Sequence, residues 1–328
     1  MSPRARALAC FACLVLIFVP CAPAQSKDDA IHLTPREKPA SASAEQLFPH
    51  AKPIRADVNV VLVPVTVTDN MNRPVLGLDK EDFVLYEGRE AQHIRYFSTE
   101  DAPISIGILL DLSKSMSNKI DLAREALGEF FKTANSEDDY FVITFADRPQ
   151  TLADATQSIG SIRAKLAGVA PGGHTALLDA IYLGLSKAKH SRYQRRALLI
   201  ISDGGDNCSR YRSREIKSLV QESDVEIYAI GIFDSIFKTP EEWAGKRLLT
   251  DITEATGGHT VALGNARQLP EVAAAISLEL RSQYILGYKP SNSVRDGAWR
   301  QIKVKLNPSA APAPGQVYAK RGYLAPGK

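Results

Sequence analysis

Residues 104–117 read ISIGILLDLSKSMS, and the reading of this stretch decides the fold. Its first seven residues form a continuous apolar run, the pattern of a strand buried on both faces of a parallel sheet. The run closes on a carboxylate, Asp111, and two hydroxyls follow at alternate positions, Ser113 and Ser115. Polar residues that end a buried strand in this way can serve as a helix cap, a nucleophile or a metal site. The rest of the chain has to choose among them.

Downstream, KIDLAREALGEFFKTA places Ile120, Ala123, Leu127 and Phe130/Phe131 at helical spacing. DYFVITFA reads as a strand, and IGSIRAKLAGV and TALLDAIYLGLSKAK read as helices. RRALLIIS (strand), REIKSLVQES (helix), VEIYAIGIF (strand), KRLLTDITEATGG (helix with a glycine stop), HTVAL (strand) and LPEVAAAISLELRSQ (helix) follow. Strands alternating with amphipathic helices predict an α/β fold: a doubly wound, mostly parallel sheet with helices on both faces.

The flanks have a different texture. VNVVLVPVTVTDNMNRPV, DFVLYEG and AQHIRYFS precede the α/β block and read as strands, with Pro64 placing the first at a sheet edge. QYILGYKP, WRQIKVKLN and GQVYAKRGYLAP follow it, separated by turn residues and by the Pro- and Ala-rich loop 307–315. The economical arrangement is one small β-domain made of both flanks, with the α/β block inserted between them.

The first residues, MSPRARALACFACLVLIFVPCAPAQ, carry Arg4 and Arg6, an apolar stretch and Ala22-Pro23-Ala24. This is the pattern of a secretory signal peptide cleaved after Ala24. The apolar stretch is shorter than the ~20 residues of a spanning helix, so a membrane anchor is the weaker reading. Residues 25–56 mix Pro, Ala, Ser and charge without periodicity and read as a disordered linker. Three of the four cysteines (Cys10, Cys13, Cys21) lie in the signal segment. Cys208 remains alone, which excludes an intrachain disulfide and a cysteine-based zinc site in the mature chain. A secreted, periplasmic or cell-envelope location follows, with no membrane span in the mature chain. The formal net charge of +3 and the lack of a dense basic block argue against nucleic acid as a partner.

In an open α/β sheet, ligands bind at the carboxyl ends of the strands beside a topological switch point. The polar residues expected there are Asp111, Ser113 and Ser115, then Thr175 in the loop PGGHT, then Asp203 after RRALLIIS. Two carboxylates and three hydroxyls suit a hard divalent cation, Mg²⁺ foremost, with Mn²⁺ or Ca²⁺ as alternatives. So few carboxylates leave the ion's charge unsaturated, with a coordination position open to an acidic group of a partner.

These motifs resemble those of von Willebrand factor type A domains: DLSKS matches the family's DxSxS signature, with Thr175 in GGHT and Asp203 in ISDG matching its other two elements. The resemblance covers roughly residues 103–281, and the flanking GLDKEDFVLYEG, YILGYKP and RGYLAP are similar to those of a bacterial exported group. It implies a Rossmann-like domain with a metal-ion-dependent adhesion site. Two residues of the Asp111–Ser113–Ser115 loop would then be direct ligands through their hydroxyls, Thr175 direct or water-bridged, and Asp203 largely water-bridged. The expected organisation is 1–24 signal peptide, 25–56 linker, 57–100 first β segment, 103–282 type A domain and 283–328 second β segment.

Rival chemistries fare worse. Ser115 or Ser117 could cap the helix that follows, but capping uses one serine and leaves Asp111 unexplained. GxSxG is absent, Cys208 is the only mature thiol, position 113 is Ser where a DxDxT phosphatase has Asp, and GGHTALLDA lacks the GK[ST] of a phosphate loop. The expectation is therefore no enzyme but a metal-dependent protein-binding module whose partner offers a Glu or Asp carboxylate. The alternatives are an assembly subunit in which the cation only stabilises the fold and, third, a metallohydrolase using His174 or Asp206 as base.

Overall fold

The central strands have apolar side chains at both odd and even positions, so neither face can be left to water. The computed structural model describes residues 60–99, 101–203, 205–233, 240–307 and 316–327. The expected signal peptide, the linker 25–56 and residues 308–315 lie outside them. In chain order the elements begin with β1 (Val61–Thr68), β2 (Phe83–Glu87), β3 (Glu90–Gln92) and β4 (Ile94–Ser98). The α/β block follows as β5 (Ser105–Asp111), α1 (Ile120–Phe130), β6 (Asp139–Phe145), β7 (Pro149–Thr156), α2 (Ile159–Ala167) and α3 (Leu177–Lys189). It continues with β8 (Arg196–Ser202), α4 (Ser213–Glu222), β9 (Glu226–Ile232), α5 (Pro240–Thr256), β10 (Thr260–Leu263) and α6 (Leu269–Arg281). The last strands are β11 (Tyr284–Tyr288), β12 (Trp299–Leu306), β13 (Gln316–Ala319) and β14 (Gly322–Leu324).

The large sheet has the order β10-β9-β8-β5-β6-β7, parallel except for β7, which returns antiparallel along β6. This is the expected doubly wound α/β sheet. Along β5, Ile106, Ile108 and Leu110 pack on one face with Ala123, Leu127 and Phe130 of α1, Ile162 of α2 and Ile276 of α6. Leu109 packs on the other with Phe141, Leu198, Ile181 of α3, Ile216 of α4 and Leu249 of α5. Each such side chain contributes about 1.5–3 kcal/mol of burial, set against the entropy of ordering the chain. Gly107 shares the second face because nothing larger fits: a Cβ there would lie 2.2 Å from Phe141 Cζ. No helix among the described residues is long and apolar enough to cross a membrane.

The flanks pair with each other. One four-stranded sheet has the order β13-β1-β11-β4 and a second β14-β12-β2-β3, each mixing strands from before and after the α/β block. Between them lies a core of Val63, Val65, Val67, Phe83, Leu85, Tyr284, Leu286, Tyr288 and Ile302. The edge placement predicted from Pro64 needs correcting, because β1 is an interior strand. Pro64 is tolerated because β13 pairs only with residues from Val65 onward, so nothing there requires its missing N–H on that side. The two chain crossings between the parts are fastened by arginines. Arg195 donates to Ala102 O, Leu280 O and Gln283 Oε1, and Arg281 pairs with Asp138 at 2.6 Å.

Candidate cation site

The chain leaves β5 for β6 on one side and later returns to β8 on the other, so the switch point of the sheet lies between β5 and β8. Asp111, the last residue of β5, pairs with Phe145 of β6. On the other side the ladder stops at Leu110–Ile201, which leaves Ser202 beside Asp111. Ser202 Oγ donates to Asp111 Oδ2 at 2.6 Å, and the Ser113 N–H donates to Oδ1 at 2.8 Å.

The Asp111 side chain is fully buried. Burial pushes its carboxyl up to about 6, and the nearby charge of Asp203 adds to the rise, against the pull of the Ser202 and Ser113 hydrogen bonds. Among the described residues no basic side chain pairs with Asp111. A buried anion held only by neutral donors and facing a second carboxylate is poorly compensated, and a bound cation would correct the imbalance.

The hydroxyls of Ser113 and Ser115 lie 3.0 Å apart, the first buried and the second exposed. Neither caps α1. Ser113 precedes and Ser115 lies within a single 3₁₀ turn over Lys114–Met116, and the N-cap position of α1 is Lys119, with no side-chain cap bond. Ser117 is spent on Lys114 O at 2.7 Å. Lys114 points to solvent, as expected of the residue between the two serines.

Thr175 is buried in a loop laced to its neighbours through the backbone. Gly172 N–H donates to Leu112 O at 2.7 Å, Lys114 N–H to Gly173 O at 3.1 Å and Ala176 N–H to Ala146 O at 2.8 Å. Asn207 Oδ1 accepts the Thr175 N–H at 2.9 Å, which ties this loop to the one after β8. Thr175 does not start α3, whose N-cap position is Ala176; Asp206 Oδ1 instead reaches across to take the Leu178 N–H at 3.3 Å. Gly173 has φ +83°, and a Cβ on it would lie 2.8 Å from the Asp147 carboxylate, which also accepts the His174 N–H. Only glycine satisfies both demands.

Asp203 follows β8 and is mostly shielded. Its Oδ2 lies 3.6 Å from Lys119 Nζ. The three loops carrying Asp111–Ser115, Thr175 and Asp203 thus meet at one end of the sheet. Among the described residues no group of three or more His, Cys, Asp and Glu side chains is arranged to hold a metal, so a cation here would depend on the hydroxyls. An all-oxygen set of two carboxylates and three hydroxyls fits a hard divalent cation.

His174 is exposed, and Asp206 Oδ1 accepts from the Leu178 N–H and from Ser209 Oγ at 2.5 Å. Cys208 Sγ rests 3.8 Å from Ala146 O, and burial pushes its thiol up, away from nucleophilic reactivity. Sequence reasoning missed three contributors: Ser202, Asp147 and Lys119. Ser202 carried a signal, since the residue before Asp203 in a parallel neighbour of β5 must lie beside Asp111. Asp147 and Lys119 carried none, because their roles depend on how distant loops meet.

Parts of this chain are similar to known proteins. Residues 106–205 match the family model of the von Willebrand factor type A domain. An uncharacterized protein of Borreliella burgdorferi is 27% identical over 144 residues, 41% of this chain, and the matched region spans 42% of that relative's length. Among solved structures, a von Willebrand factor type A protein from Catenulispora acidiphila aligns with TM-score 0.49 and 11% identity, covering 80% of this chain and 73% of its own. The conserved hypothetical protein BatB from Bacteroides thetaiotaomicron aligns with TM-score 0.43 and 17% identity, covering 55% of this chain and all of its own. The family match begins inside β5 and ends just past Asp203, so it brackets the three loops, and this part of the chain is matched as a von Willebrand factor type A domain.

Proposed function

We propose that this is an exported protein-binding module that captures an acidic group of a partner through a divalent cation. Asp111, Ser113, Ser115, Thr175 and Asp203 would hold the ion, with Mg²⁺ preferred and Mn²⁺ or Ca²⁺ as substitutes. When bound, the ion would supply an open coordination position for a Glu or Asp carboxylate. The chain's own part is to orient oxygens: Ser202 and the Ser113 N–H fix the Asp111 carboxylate, and Asn207 and Gly173 fix the loop of Thr175. The observation that carries the reading is Asp111 itself, a fully buried carboxylate with only neutral donors, beside a hydroxyl pair at the switch point.

The reading is that of a binder rather than an enzyme, because the titratable groups at the rim are either exposed or already committed to the backbone. The test is capture of proteins from an envelope extract by the immobilised chain in Mg²⁺, in EDTA, and with Asp111→Ala. Capture that is lost in EDTA and in the variant supports the proposal; capture undiminished in both refutes it. If cation removal lowers thermal stability but leaves capture intact, the ion has only a structural role.

A further inference from the structure

Lys119 introduces a positive charge into this oxygen cluster. Its ammonium lies 3.6 Å from Asp203 Oδ2, and the two side chains are only 11% and 12% exposed. Asp203 in turn bears electrostatically on Asp111. The fold therefore provides one of its two clustered carboxylates with a cation from its own chain and leaves the other with neutral donors. Lys119 sits at the N-cap position of α1, where its main chain is fixed by its own N–H to Met116 O and by the Ala123 N–H. Its ammonium is thus tethered close to the carboxylate it pairs with.

Building on the cation reading above, we infer that Lys119 is a tethered counter-ion that competes with the divalent cation for Asp203. In this shielded setting, two cations beside one carboxylate repel each other with little screening. Without a divalent ion, the Lys119–Asp203 pair lowers the cost of two near-buried carboxylates. With one, the same ammonium is a like charge beside the ligand set. Lys119 therefore stabilises the cation-free fold and weakens cation binding. These effects have opposite signs, which separates the role from simple support of Asp203, where losing the lysine would harm both.

The test is Mn²⁺ titration followed by the resonance of free Mn²⁺, together with cation-free thermal unfolding, on the full chain and its Lys119→Met and Lys119→Arg variants. Methionine keeps the length of the stem without the charge, and Lys119→Gln serves in its place should that variant fail to fold. The neutral variant is expected to bind Mn²⁺ at least about tenfold more tightly and to unfold earlier without cation, while the arginine variant stays within a few-fold of the parent. Mn²⁺ binding by the parent that is unchanged or weakened in the neutral variant overturns the inference and leaves the cation site standing. Absence of Mn²⁺ binding in the parent and every variant overturns both.

Discussion

Glu279→Gln should alter stability in a way that depends on pH with a predictable sign. Glu279 of α6 is buried, and its Oε2 lies 3.6 Å from His259 Nδ1, with neither atom hydrogen-bonded. Burial, helped by the charge of Glu226, raises Glu279 from 4.5 to about 8. Burial lowers His259 from 6.5 to about 4. A carboxyl raised in the fold contributes stability that is complete below 4.5 and is lost as pH rises through about 8. A depressed histidine contributes stability that is present above 6.5 and lost as pH falls toward 4. Between pH 6.5 and 8, then, Glu279 binds a proton in the fold that it lacks when unfolded, while His259 is already neutral in the fold. Each pH unit costs about 1.4 kcal/mol, so this group removes about 2 kcal/mol across the window. Glutamine keeps the shape and has no proton to lose. Urea unfolding at the two ends of the window should show the variant gaining about 2 kcal/mol on the parent as pH rises, with all other titrations cancelling in the difference. A difference that does not change with pH would refute the reasoning and would mean that Glu279 is already ionised in the fold.

Two further substitutions probe the junction and the site. Asp138→Ala removes the acceptor shared by Arg281, the Ile104 and Asn135 N–H groups and Tyr140 OH, and leaves a nearly buried guanidinium poorly compensated. It should cost about 3–5 kcal/mol in urea unfolding. Gly173→Ala places a Cβ at φ +83° against the Asp147 carboxylate, so it should cost about 1–2 kcal/mol of backbone strain and weaken Mn²⁺ binding by displacing the Thr175 loop.

The α/β core was legible because its chemistry is local: residues 104–110 and RRALLIIS are apolar on both faces, and only a strand between two helical layers buries both. β7 was not legible, since among its eight residues only Ala153 is buried and an exposed edge strand leaves no apolar signature. Pro64 misled because pairing changes partway along β1, which no local pattern records. At the site, the Asp–Ser–Ser spacing was readable because strand and turn geometry fix it. Asp206 and Asn207 act away from their own loop, reaching across to α3 and to the Thr175 loop, which no local pattern records. Lys119 belongs to the site only through the approach of α1 to the end of β8, a relation that exists in the fold alone.

The central claim is that Asp111 and its neighbours hold a divalent cation, and the most direct measurement is the unfolding free energy with and without Mg²⁺ for the parent and for Asp111→Asn. At a free Mg²⁺ concentration ~100 times its dissociation constant, a site present only in the fold adds about 2.7 kcal/mol. The expected result is a gain of that order in the parent, reversal by EDTA and no gain in the variant. A parent indifferent to Mg²⁺, or a variant stabilised as much as the parent, would contradict it.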